Sequence, residues 1–171
     1  MKIKLGIAPI AWSNDDMPEL GGDTPIEKCL EDASVAGFTG IELGGKFPRN
    51  HGITKFLLEK FNLKMPGGWY GSLLRKRNVK EEWYAMQDHL NLLKIVKADV
   101  FVFGDVSGSI QGDQSKALST RPKLEKDEWD SYCIKISELS NMLMDEGIPM
   151  SFHEHMGTII QSEEDVDRFM N

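Results

Sequence analysis

Cysteine is scarce in this chain. Cys29 and Cys133 are the two among 171 residues, and neither has a CxxC partner. That excludes a disulfide framework, a cysteine-built zinc site and a dithiol redox pair. Both fall within apolar-periodic segments and read as small buried residues of a protein from a reducing cytosol. Long hydrophobic runs are missing as well. The apolar stretch 5–12 is too short to cross a bilayer, contains Pro9, and runs into Ser13-Asn14-Asp15-Asp16 with no small-residue cleavage pattern. A strand and a cytoplasmic location are therefore expected. A basic stripe is also lacking: 20 basic residues stand against 27 acidic ones, for a formal charge of −7 and a pI near 5.1. No nucleic acid and no membrane partner are expected of such a surface. Gly21-Gly22-Asp23-Thr24-Pro25 is a poor phosphate cradle, because Pro25 removes an amide donor, Asp23 adds negative charge, and no Walker or dinucleotide pattern follows.

What is present is an ordinary globular composition, 40% hydrophobic and 9% aromatic, enough for one domain over residues 1–171. Five apolar runs, at 3–10, 38–43, 63–69, 98–103 and 148–155, alternate with amphipathic segments. None alternates apolar with polar, so each reads as a strand covered on both faces in a parallel α/β architecture. Thr24-Pro25-Ile26-Glu27 opens a first helix with a capping residue, a proline at the first helical position and a glutamate behind it, and Gly37 closes it. Further helices are expected around 53–61, from Trp83 to Val96, from Trp129 to Leu143, and from Ser162 onward, the last with a capping box of its own. Two folds accept this pattern, an open doubly wound sheet and the first five units of a (β/α)8 barrel. In either, sites form at strand carboxyl ends, where the loops at 13–23, 44–49 and 104–126 lie.

Several residues carry potential chemistry. His153 and His155, spaced i, i+2 at the end of the fifth run, would point the same way on a strand, with Glu154 opposite. Imidazole binds metals and titrates near neutrality; the alternative is hydrogen bonding to neighbouring backbone. Glu42 is a charged residue inside the apolar run 38–43, either part of a site or paired with Lys46. Asn14 and Asp15 follow the first run and suit a metal, a polyol or a plain Asx turn. Pro66-Gly67-Gly68-Trp69 closes the third run with glycines that admit a close ligand and an aromatic ring that could stack on a sugar-like face. Arg75-Lys76-Arg77 reads as a solvated cluster.

The run from Gly6 to Pro25, the segment Gly40-Ile41-Glu42-Leu43-Gly44 with Lys46-Phe47-Pro48-Arg49, the motifs Gly108-Ser109-Ile110-Gln111-Gly112-Asp113 and Leu118-Ser119-Thr120-Arg121-Pro122, and His153-Glu154-His155-Met156-Gly157-Thr158 together resemble the inosose dehydratase family. The resemblance covers the whole chain but only the amino-terminal part of the family's length. It implies a xylose-isomerase-like (β/α)8 TIM barrel, here cut to about its first five βα units. It also implies a divalent ion, Mn2+ or Co2+, and a lyase that dehydrates scyllo-inosose to a trihydroxycyclohexane dione in myo-inositol catabolism. A sugar isomerase or epimerase on the same barrel, or a non-catalytic fragment, is the alternative. By the resemblance His153 contacts the metal, His155 moves a proton or supports the site, Glu42 does acid/base work, and Asn14, Asp15, Lys46 and Trp69 hold the small polyol ketone. The family more often shows three consecutive histidines at the fifth strand, so Glu154 departs from its pattern and receives no ligand role. With ligands expected beyond residue 171, little turnover is expected of these residues alone, and open strand edges leave a homo-oligomer as an alternative.

Overall fold

The computed structural model describes residues 3–171, and a strand meets each expected apolar run: three lie within their runs, β3 begins only at Trp69 and continues to Ser72, and β4 continues past the run to Asp105. The strands are β1 (Gly6–Ile7), β2 (Gly40–Ile41), β3 (Trp69–Ser72), β4 (Phe101–Asp105) and β5 (Met150–Phe152). They alternate with α1 (Ile26–Val35), α2 (His51–Lys60), α3 (Val79–Val96), α4 (Trp129–Asp145) and α5 (Glu163–Met170), with 3-10 turns at Pro9–Ala11 and Leu118–Thr120. The pairings run β1–β2 and β3–β4–β5, so the described strands do not close into a barrel. No helix among the described residues is long and apolar enough to cross a membrane.

The helices form where periodicity and caps put them, with one shift. Pro25, not Thr24, occupies the N-cap of α1 at φ −65° and ψ 147°, and no side chain caps the helix. The Pro25 carbonyl instead accepts the Lys28 and Cys29 amides, so the proline ring ends the preceding loop rather than opening the first turn. Gly37, at φ 88°, closes α1 in the left-handed region that suits glycine. Asn50 caps α2 by accepting from the Ile53 amide, and Ser162 with Asp165 forms the expected capping box of α5.

The chain divides into two compact units. The first comprises residues 3–69 and 88–101. Within it β1 pairs in parallel with β2, Gly6 opposite Gly40 and Ile7 opposite Ile41, and the parallel ladder extends through Gly40 to Lys64 and Leu43 to Gly68. Gly68 answers a packing demand rather than a ligand: a Cβ there would lie 2.7 Å from Leu43 Cβ. Leu30 and Ala33 of α1, Leu57 and Leu58 of α2, Leu90 and Leu93 of α3, and Ile41 and Leu43 are buried in this unit. Cys29 is fully buried among them, as expected.

The second unit comprises residues 70–87 and 102–171. An aromatic series crosses it: the Tyr70 and Phe103 rings are 6.2 Å apart, Phe103 and Phe152 are 6.0 Å apart, and Phe152 and Phe169 are 4.4 Å apart. Glu82 is completely buried in this unit, yet it accepts from the Tyr70 hydroxyl at 2.9 Å and from Arg77 at 3.1 Å. Without those partners a buried carboxylate would cost several kcal/mol. Arg75 grips Glu128 through two nitrogens, at 3.0 and 2.8 Å. Arg75 and Arg77 are thus structural ion-pair partners, contrary to the solvated reading. Cys133 departs from expectation too: it is partly exposed on α4, because the helix face it shares with Ser137 and Ser140 opens onto a surface groove.

Candidate functional site

In the first unit the loops after β1 and β2 enclose a cavity of about 470 Å³, within the size range of small-ligand sites. Asn14, Asp15, Lys46 and Trp69, the four expected substrate contacts, all line it. Three of them are engaged in holding the loops. Asn14 Oδ1 accepts from the Asp16 and Met17 amides at 2.9 Å each, an Asx turn, and Asp15 Oδ2 accepts from the Gly45 amide at 2.7 Å. Lys46 Nζ donates to the Gly22 carbonyl at 2.7 Å, tying the second loop to the first. It therefore does not pair with Glu42. The loop glycines serve the same packing: a Cβ on Gly45 would lie 2.8 Å from Asp15 Oδ1, and one on Gly22 would lie 2.1 Å from the Pro18 carbonyl oxygen.

Glu42, half-buried just after β2, has no hydrogen-bond or ion-pair partner among the described residues, and burial alone raises its pKa from the ordinary carboxylate value. It does not line the cavity. Ser13 and Arg49 do, and neither was picked out from the sequence as a site residue. The available signal was position: both sit in loops that leave a strand's carboxyl end. His89 is a further surprise. Its Nε2 faces the Gly68 carbonyl at 3.2 Å and its ring meets Phe101 edge-on at 5.1 Å. Burial lowers its pKa to about 4, the Gly68 hydrogen bond opposing, so the ring is neutral and Nε2 carries the proton toward the carbonyl.

In the second unit the histidine pair lies beyond β5 rather than on it, because the strand ends at Phe152. The strand-alternation argument therefore does not apply to Glu154, although Glu154 is exposed. The His153 amide still donates to the Phe103 carbonyl at 2.8 Å, and the two imidazole rings lie 5.6 Å apart. A tight turn follows. The His155 amide donates to the Ile160 carbonyl, the Thr158 hydroxyl donates to the His155 carbonyl at 2.7 Å, and the Ile110 amide of the long loop reaches the Gly157 carbonyl at 3.0 Å. Gly157, at φ 78°, is required here, since a Cβ would lie 2.8 Å from the Gln111 amide nitrogen. His155 Nδ1 lies 2.9 Å from the Met156 carbonyl, which can only accept, so Nδ1 is the donor in that contact. Burial and the neighbouring His155 lower the pKa of His153.

Arg121 anchors the long loop to this turn. Its guanidinium is buried, donates to the Thr158 and Ile159 carbonyls at 3.1 Å each, and pairs with Asp165. At the end of β4, Asp105 is a second buried carboxylate that the sequence reading passed over. It accepts from the Arg75 and Ser107 amides at 2.8 Å each, and burial raises its pKa. Its signal in the sequence was the same as that of Glu42, an acid at the end of an apolar run.

These features define a partial α/β barrel of the xylose isomerase-like kind. Solved structures agree: a xylose isomerase-like TIM barrel protein from Mycobacterium smegmatis in complex with magnesium has a TM-score of 0.68 at 15% identity, covering 98% of this chain and 60% of that one. A probable 3-DHS dehydratase from Bacillus anthracis has a TM-score of 0.66 at 13% identity, covering 98% and 58%. In sequence, the chain is a homologue of the rhizopine catabolism protein MocC of Rhizobium meliloti, 42% identical over 171 residues, and of the inosose dehydratase of Geobacillus thermodenitrificans, 38% identical over 170 residues. These matches cover 100% and 99% of this chain but 53% and 57% of the relatives, so the chain spans about half the length of the curated relatives it matches. No protein-family profile matches it.

Proposed function

We propose that this chain is part of a hydro-lyase that removes water from scyllo-inosose to give a trihydroxycyclohexane dione in myo-inositol catabolism. The observation that carries this reading is its 38% identity, across 99% of its length, to a protein named inosose dehydratase. The reaction asks for a base to take the proton α to a ketone and an acid to assist departure of hydroxide. His155, an imidazole just beyond the end of β5 beside His153, suits the base. Glu42, whose carboxyl is held protonated to higher pH than usual, suits acid/base work. Asn14, Asp15, Lys46 and Trp69 are proposed to hold the polyol in their cavity.

His153 is the proposed ligand of a divalent ion, Mn2+ or Co2+. The fit is partial: two imidazoles stand close together, while no three His, Cys, Asp or Glu side chains gather among the described residues. When bound, such an ion would supply Lewis-acid polarisation of the ketone. The protein is proposed to be cytoplasmic and to act on a small molecule, with no nucleic acid or membrane partner; a homo-oligomer is compatible with this role. The test is to incubate the full-length parent protein with scyllo-inosose and manganese or cobalt and to follow the absorbance of the conjugated dione. An isomeric ketose in place of the dione favours an epimerase. No reaction from folded, metal-loaded protein overturns both.

A further inference from the structure

Arg75, in the short turn after β3, holds both ends of the long loop that joins β4 to α4. At the near end stands Asp105, buried where β4 closes. Its Oδ2 accepts from the Arg75 amide and its Oδ1 from the Ser107 amide, at 2.8 Å each, and the Val106 amide donates to the Ser72 carbonyl at 2.9 Å. At the far end the Arg75 guanidinium takes both oxygens of Glu128, the N-cap residue of α4, at 3.0 and 2.8 Å. Glu128 Oε2 also accepts from the Glu125 amide at 2.7 Å, so the last residues of the loop fold onto the same carboxylate. The turn that carries Arg75 is fixed in its own right, since Lys135 Nζ on α4 donates to the Leu74 and Arg77 carbonyls at 3.0 and 2.9 Å.

Two arms leave this clasp, and both end on the histidine turn. The first is short. The Ser109 amide donates to the Val106 carbonyl, and the amide of the buried Ile110 then donates to the Gly157 carbonyl, at 3.0 Å each. The second runs back from Glu128 through the buried Leu124 to Arg121, which donates to the Thr158 and Ile159 carbonyls. Thr158 meets the His155 carbonyl twice, through its amide at 3.2 Å and its hydroxyl at 2.7 Å. The backbone that places the His155 ring is thus gripped from two sides by segments rooted at Arg75. A planar fork on two carboxylate oxygens fixes orientation as well as distance, which a lysine in its place does not.

We infer that Arg75 is a positioning residue for the histidine pair, acting through the two arms of the long loop. The inference rests on His153 and His155 doing the chemistry proposed above, but part of its test needs no turnover. In the full-length parent protein R75K keeps the charge and loses the fork, R75Q loses both, and E128Q opens the same grip from the other side. Each is expected to lower kcat for dione formation by about tenfold, as a small misplacement of a reacting group does. KM is expected to stay within about twofold, since the polyol cavity is lined by other loops. The double variant R75Q/E128Q is expected to fall no further than the poorer single one, because both cut one contact. Imidazole NMR signals at one pH, assigned with H153Q and H155Q, are expected to move for His153 and His155 and to stay for His51 and His89. If R75Q does not fold, R75K and E128Q carry the same test. Unchanged kcat with unmoved signals in a folded variant, losses that add in the double variant, or shifts spread equally over all four histidines overturn the inference. A parent protein that forms no dione overturns the dehydratase reading alone; movement of the His153 and His155 signals in R75K or E128Q then supports the positioning role, and its absence overturns it.

Discussion

The carboxylate of Asp15 accepts the backbone amide of Gly45 at 2.7 Å, thirty residues away in sequence, and this bond joins the loop after β1 to the loop after β2. It explains why glycine follows glycine at 44–45, as a side chain on Gly45 would meet the carboxylate. D15A is expected to cost about 1 kcal/mol of stability, the worth of a solvent-facing charge-assisted bond. It should weaken polyol binding more than that, because both loops line the cavity. G45A should reproduce the binding loss with the carboxylate still present. Chemical denaturation and calorimetric titration of the two variants check this.

His89 sets an expected acid sensitivity. Its folded pKa, about 4, lies below the ordinary histidine value, so the unfolded chain binds a proton that the folded chain refuses. The stability contributed by its neutral form is therefore complete above about pH 6.5 and is lost as pH falls toward 4. The loss should approach 3 kcal/mol at the bottom of that window. Denaturation midpoints at pH 7 and pH 4.5 measure it, and H89Q, which can still donate to the Gly68 carbonyl, should flatten the difference.

The apolar runs and the helix-terminating glycines were enough to place all five strands and five helices, because those signals are local. Strand length was not local. β1 holds two residues because Pro9 turns the chain into a 3-10 turn, and β5 stops at Phe152 because the following backbone pairs with its own turn around Thr158. Residue type marked Asp15 and Asn14 as polar groups near a site, but not that their acceptors are consumed by loop amides. Glu82 was illegible for a related reason: an acid in an amphipathic helix looks solvated until a distant partner such as Tyr70 holds it in the interior.

Arg121 tests whether the long loop matters to the histidine turn. Its pair with Asp165 is buried, with side-chain exposures of 5% and 13%. R121M should leave Asp165 uncompensated and cost about 3 kcal/mol. Hydrogen exchange should speed up first at the Ile110 and His155 amides, whose acceptors lie in the turn that Arg121 holds. Burial opposes the charge on Asp165, but the Ser162 and Gln161 amides and Arg121 outweigh it and lower its pKa. The stability it contributes is thus present above the unfolded carboxylate pKa, near 4, and disappears as pH falls through the lower folded value. R121M should narrow that acid-dependent window.

Glu42 separates function from stability most sharply. Half-buried, with its pKa raised by burial and no partner among the described residues, it is ionised in the fold at a cost. The protonated form is favoured relative to the unfolded chain, so its contribution is complete below the unfolded pKa, near 4.3, and is lost as pH rises through the folded value. E42Q removes the ionisation while keeping the shape. It should raise stability at pH 7 and change nothing at pH 3.5. If Glu42 does acid/base work, the same substitution in the full-length parent protein should lower dione formation by about a hundredfold or more with little change in ligand affinity. A gain in stability with turnover intact would assign Glu42 a purely structural place beside the β2 ladder.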